Sequence, residues 1–244
     1  MGIQLNDLVG RWVASIGFDP RLVPAAATLA ARFGNGPDPC RGGADPAAIE
    51  AWERRHGFQL PRSLRAWLVL SDGFYRGTAP LIHPIAAIGP MVPFARVPDL
   101  MVQPESWFEL GNPNIETICI DLGYRWPGGG CPIFTSGDDH AQSRPKVIAT
   151  SFENWFLTLL GQGGREYWFD TGFTDFGDPW SEHRRHTPAP PLPERLRPLA
   201  PQVRACMRPG VDERAIAGAL GLTRGDLETI LRHLQHGWPE IPTS

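Results

Sequence analysis

Three carboxylates, Asp170, Asp175 and Asp178, fall within nine residues, in a glycine-containing stretch that also carries Tyr167, Trp168, Phe169, Phe173, Phe176 and Trp180. Clustered carboxylate oxygens suit Ca2+, but the Asp-x-Asp-x-Asp-Gly spacing and closing Glu of a calcium loop are missing. Aromatic rings beside acids instead make either a partner-binding surface or a second core layer with solvated charges. Asp138-Asp139-His140 sets two more carboxylates beside an imidazole in a Gly/Ser-flanked turn, where adjacent acids act first as turn formers. His183/His186 and His233/His236 share an HxxH spacing without a nearby Cys or the glutamate of HExxH, so they read as solvated imidazoles. Cys40, Cys119, Cys131 and Cys206 include no CxxC pair and no zinc-site spacing. There is no G-x-S-x-G elbow, and Gly128-Gly129-Gly130 lacks the Lys-Ser/Thr of a phosphate loop and reads as a hairpin tip. The expectation is a non-enzymatic chain without metal or cofactor.

The elements that must position these groups are bounded by composition. The chain has 244 residues, 42% hydrophobic and 20% charged, enough to bury a sizeable core. No stretch approaches the roughly 18 consecutive apolar residues of a membrane span. The start, MGIQLNDLVGRWV, has no basic region leading into an apolar one, so a cytoplasmic chain with reduced thiols is expected. Of 23 basic residues only Lys146 is lysine, and the net charge of −3 argues against nucleic-acid coating by the whole chain. The charge is uneven. Residues 99–182 hold 13 acidic and 4 basic side chains, whereas residues 1–98 and 195–236 are each net +3. Five prolines between Pro188 and Pro198 favour an extended linker. The expected organisation is a main domain over 1–182, a linker over 183–194 and a small helical domain over 195–244.

Apolar residues at 3–4 residue spacing from Leu5 to Ile16, stopped by Gly17, predict a first helix, and Val23 to Phe33 predicts another. Asp45 followed by Pro46 predicts a capped helix ending at His56-Gly57. Pro61 opens the next, with Leu64, Trp67 and Leu68 on one face and Gly73 as its stop. Beyond residue 80, Thr117–Leu122, Cys131–Phe134 and Lys146–Ala149 are strand candidates, with Pro84 and Pro132 confined to strand ends or edges. Ser151 caps a helix whose Phe152, Trp155, Phe156 and Leu159 form an apolar face. Helices, then strands, then a helix suit an α+β domain.

The series Ile49-Glu50-Ala51-Trp52-Glu53, Gly57-Phe58-Gln59-Leu60-Pro61, Trp67-Leu68 and Leu70-Ser71-Asp72-Gly73 resembles the opening signature of the SUKH superfamily. Ile118-Cys119-Ile120-Asp121-Leu122 is similar to that family's central strand, and Ser151-Phe152-Glu153-Asn154-Trp155-Phe156 to its closing helix. The resemblance covers about residues 45–160. It implies a mixed sheet packed with helices and a protein-binding role. Bacterial members are largely immunity proteins that neutralise toxins, and fungal relatives regulate cell-wall assembly.

Residues 213–232 resemble a helix-turn-helix. Ile216, Ala217, Leu220, Gly221, Leu222, Leu227 and Ile230 fall where that motif requires apolar, small or glycine residues, and Thr223 caps the second helix with Asp226 three residues on. Arg224, Thr229, Arg232 and His233 are its candidate DNA contacts, although Asp226 and Glu228 share their face. Dimerisation or docking is the other use of such a unit.

Two expectations follow. The first is an immunity or antitoxin protein binding a basic toxin enzyme through an exposed acidic face of Asp138, Asp139, Asp170, Asp175 and Asp178, with Trp180 beside it, because few cations are at hand to pair those acids. The alternative is a transcriptional or signalling regulator whose C-terminal unit binds DNA. A homodimer is left open.

Overall fold

The computed structural model describes residues 5–17, 39–91, 103–113, 116–137, 144–207 and 212–236. Among them are eight α-helices and two antiparallel sheets, an α+β fold. The expected helix over Val23–Phe33 and the turn Asp138-Asp139-His140 lie outside the described residues. Among the described residues no helix is long and apolar enough to cross a membrane. The chain divides into two units, the first running to Met91 and from Ser106 to Pro179, the second from Trp180 onward together with the stretch ending at Glu105.

In the first unit, helix α1 (Leu5–Ile16) buries Leu8, Val9, Trp12 and Val13, the expected stripe, and Gly17 turns left-handed at φ 70°. Helix α2 (Pro46–His56) starts where Ala47 N–H donates to Asp45 Oδ1 at 2.9 Å and stops at left-handed Gly57. Helix α3 (Arg62–Leu70) follows Pro61 but ends before Gly73. Ser71 turns extended there, its N–H donating to the Trp67 carbonyl and its hydroxyl to the Gly73 carbonyl at 2.7 Å. Gly73, at φ 106°, instead serves the entry into β1, where a Cβ would meet the Ile82 carbonyl at 3.0 Å. Helix α4 (Phe152–Gly161) begins at Ser151, whose Oγ accepts from Asn154 N–H, and buries the four expected residues.

Strands β1 (Phe74–Arg76) and β2 (Ala79–Ile82) pair as a hairpin. Strands β3 (Gly89–Pro90), β4 (Trp107–Gly111), β5 (Ile118–Asp121), β6 (Ile133–Thr135) and β7 (Lys146–Ala149) lie side by side in chain order. Every pairing is antiparallel, with Phe108 opposite Ile120 and Cys119 opposite Phe134. The mixed sheet expected from the family resemblance is therefore replaced by a meander, which needs no crossover connection. Pro132 stands just before β6, where its carbonyl accepts from Asp121 N–H. Pro84 precedes a short 3-10 turn after β2.

Aromatic residues knit the helices of this unit together. Trp67 packs edge-on against Trp12, Phe74 and Phe156 at 6.1, 5.6 and 4.5 Å between ring centroids. Such pairs add roughly 0.5–1.5 kcal/mol each beyond the area they bury. The indoles are satisfied as well, Trp12 Nε1 donating to the Ser63 carbonyl and Trp52 Nε1 to that of Ile88, both at 2.7 Å.

The second unit has its own core of Leu192, Leu196, Val203, Ile216, Leu227, Ile230 and Leu231. It contains α5 (Pro179–His186), α6 (Ala200–Cys206), α7 (Glu213–Leu220) and α8 (Arg224–Gln235). The proline-dense stretch expected as a linker is packed here, because Leu192 is buried and the chain passes directly into a 3-10 turn, Glu194–Leu199. The division of the chain falls at Pro179/Trp180 rather than in that stretch. The helix-turn-helix shape forms as expected, with Gly221 left-handed at φ 64°. Thr223 Oγ1 accepts from Asp226 N–H at 3.1 Å and donates to the Asp226 carboxylate at 2.8 Å.

Candidate partner-binding surface

After α4 the chain turns through Gly163 and Gly164, both at positive φ, and enters the acid and aromatic segment. The aromatic residues divide. Tyr167 and Trp168 face inward, the Tyr167 hydroxyl donating to the Ile148 carbonyl at 3.3 Å and Trp168 Nε1 to buried Glu116 at 3.2 Å. Phe169 and Phe176 are each 45% exposed, a level that only Val69 approaches among the described large apolar side chains. Between them, half-buried Phe173 packs on Tyr167. The segment thus sends Tyr167 and Trp168 into the core and leaves Phe169 and Phe176 exposed.

Backbone pairing holds the exposed layer in place. Phe176 N–H donates to the Val147 carbonyl and Val147 N–H to the Gly177 carbonyl, both at 2.9 Å, so the segment covers the outer edge of β7. Lys146 Nζ donates to the Trp168 carbonyl at 2.8 Å and stands 5.4 Å from the Phe169 ring centroid, a cation–π distance. On the far side, Phe176 meets Trp126 edge-on at 6.1 Å. Trp126 sits at the hairpin tip, where its N–H donates to the Gly130 carbonyl while Gly128 and Gly129 turn at φ 110° and 97°. A Cβ on Gly130 would lie 2.1 Å from that of Ser151, so glycine is required where the tip approaches the start of α4. Trp126 was not singled out from sequence; the available signal was a tryptophan beside a Pro-Gly turn.

Among the described residues, several acids of 99–182 that were expected to stay unpaired find partners. Asp170 takes a two-pronged ion pair from Arg165 at 2.6 and 2.9 Å, and Asp175 pairs with Arg144 at 3.2 Å. Glu166 recruits Arg76 at 2.9 Å, and buried Glu182 pairs with Arg185, so arginines from outside the block make up the shortage. Asp121 is 2% exposed and needs no cation, because Ser106 Oγ, Trp107 Nε1 and Gly123 N–H donate to it at 2.7, 2.9 and 2.8 Å. Asp170, Asp175 and half-buried Asp178 do share one segment with the exposed rings. Asp138 and Asp139 lie outside the described residues. Trp180 is buried and belongs to the second unit, so it does not extend this surface.

The candidate DNA-contacting side chains of α8 are engaged within their own unit. Arg224 pairs with Glu228 at 2.8 Å, and the Thr229 hydroxyl donates to the Gly225 carbonyl. Arg232 pairs with Glu105 at 2.7 Å, and His233 Nδ1 lies 2.9 Å from the Pro190 carbonyl. Arg195 caps the pattern by pairing with Asp226 at 2.6 Å, a hydrogen bond that holds the Asp226 carboxyl below its ordinary range.

The histidines are not independent solvated groups. His183 is buried, and its ring centroid lies 5.8 Å from that of His236. Burial, reinforced by His183, Arg184 and His233, lowers the His236 pKa. Among the described residues no three His, Cys, Asp or Glu side chains are arranged to hold a metal ion. Cys40, Cys119 and Cys131 are buried, Cys206 is half-buried, and the four form no disulfide. Burial pushes the Cys131 thiol up to about 12 and Cys119 well above its ordinary value, which removes both as thiolate nucleophiles near neutral pH. No family model matches the chain, and no curated protein matches it.

Proposed function

We propose that the chain is a non-enzymatic, cytoplasmic protein-binding module of SUKH type, an immunity protein or antitoxin that neutralises a basic toxin enzyme by direct contact. The observation that carries this reading is the pairing of exposed Phe169 and Phe176 with Asp170, Asp175 and Asp178 on one braced segment. Rings held on a rigid edge supply contact area at low entropic cost, and carboxylates around them steer a cationic partner. A phosphate-handling enzyme carries that cationic surface.

The test is titration of the full chain with the product of the adjacent reading frame across a salt series. A stoichiometric complex that weakens with salt supports the reading. In that complex Phe176→Ala costs about 1–3 kcal/mol of affinity, and Asp175→Lys with Asp178→Lys slows association most at low salt. Unchanged affinity in both variants overturns it.

The helix-turn-helix geometry favours a second reading, a regulator that binds DNA through α8. Against it stand the engaged side chains of that helix, since each would have to exchange an internal partner for a base or phosphate. Duplex-DNA binding with a salt slope corresponding to several phosphate contacts would establish it; a slope near zero removes it.

A further inference from the structure

We propose that an open groove between α1 and α3 is a second docking site, and that its occupant is an acidic amphipathic helix of a partner protein. The two helices are held together on their inner faces by the Trp12 to Ser63 hydrogen bond at 2.7 Å, and at one end Arg62 Nη2 donates to the Ser15 carbonyl at 2.7 Å. Outside that seam lies a groove of about 680 Å3 floored by Ala14, Ala66 and Val69 and rimmed by Arg11, Arg62 and Arg65. The small side chains of Ala14 and Ala66 line it, and Val69, 42% exposed, adds an apolar contact. The volume falls in the range of sites that admit a few side chains of a ligand.

Charge selects the occupant. Arg65 is already compensated, pairing with Glu53 at 2.6 Å and Glu50 at 3.3 Å. Arg62 meets only a carbonyl at Ser15, which leaves its charge in place, and Arg11 makes no ion pair among the described residues. An apolar floor between two uncompensated guanidinium groups fits a helix with leucine-like side chains on one stripe and carboxylates on either side. The groove therefore has the opposite sign to the acid and aromatic segment and selects a different partner surface. The inference does not depend on the immunity reading, because neither its residues nor its probe involve that segment.

The experiment uses the full chain and two fluorescein-labelled helical peptides of about 18 residues, long enough to hold a helix. They share a leucine stripe and carry either glutamate or lysine at every flanking position. Anisotropy is expected to show saturable binding of the glutamate peptide only, weakened by salt. Arg62→Glu and Val69→Glu, both at exposed positions, are each expected to reduce that binding about tenfold with an unchanged far-ultraviolet circular dichroism spectrum. Equal binding of the two peptides, no binding of the glutamate peptide, or affinity unaltered in both variants overturns the proposal. So does concentration-dependent self-association that Val69→Glu abolishes, which would make the groove a contact between copies of the chain.

Discussion

The acid and aromatic segment of the first unit and the outward face of α8 in the second are both dense in charged side chains, and they spend those charges differently. On α8, Arg224, Arg232 and His233 each close on a partner within their own unit, and no described large apolar side chain of that unit is as exposed as Phe169 or Phe176. In the first unit Asp170 and Asp175 are also paired, yet Phe169 and Phe176 remain out in solvent above a braced edge. A charge count therefore does not identify a binding surface. What separates the two regions is apolar area left uncovered and held rigid, since ion pairs at the surface contribute little either way.

The largest effect is expected in the aromatic core of the first unit. Trp67 is fully buried among three aromatic neighbours, so Trp67→Ala is expected to cost about 3–5 kcal/mol in chemical denaturation. A loss below about 1 kcal/mol would mean that the aromatic cluster does not support the unit. Next comes a buried acid of the block, Asp121, which is 2% exposed. Asp121→Ala leaves Trp107 Nε1, Ser106 Oγ and Gly123 N–H without their acceptor and is expected to cost about 3 kcal/mol.

In the second unit, Thr223→Ala removes both halves of the contact with Asp226 at the start of α8 and is expected to cost about 0.5–2 kcal/mol. Acid adds a further, smaller loss there. His236 is held below the ordinary 6.5, so below that value the unfolded chain takes up protons that the folded chain resists. Stability is full above pH 6.5 and falls as the pH drops through it toward the lowered value in the fold. His236→Gln is expected to flatten part of the difference between urea midpoints at about pH 7.5 and about pH 5.5, and an unaltered difference refutes the assignment. The smallest effect belongs to the exposed pair. Arg165→Ala is expected to change stability by at most about 1 kcal/mol, in contrast to Asp121, although both lie in the same acidic block.

Local signals were legible where the physics was local. Asp45-Pro46, Gly57, Ser151 and Thr223 mark helix ends because a cap involves groups within a few residues of one another. Lys146–Ala149 matches β7 residue for residue. Strand β4, by contrast, gave no alternation to read, since Trp107, Phe108, Leu110 and Gly111 are all buried and only Glu109 is half-buried. The proline-dense stretch misled for a related reason. Proline predicts an extended backbone wherever it occurs, but whether that backbone hangs free or packs depends on Leu192 finding the core formed around Val203 and Leu231.

The candidate surface was half legible. Its residue types announced it, but which rings turn inward did not follow from their order along the chain. The sequence by itself determined the α+β class, the helix ends and the turn of the helix-turn-helix, because these rest on backbone geometry and contacts a few residues long. Only the tertiary structure decided which charges remain available and which aromatics stay exposed. Arg76 reaches Glu166 across 90 positions and Arg232 reaches Glu105 across 127, and an ion pair forms only when folding brings two such groups within a few ångströms.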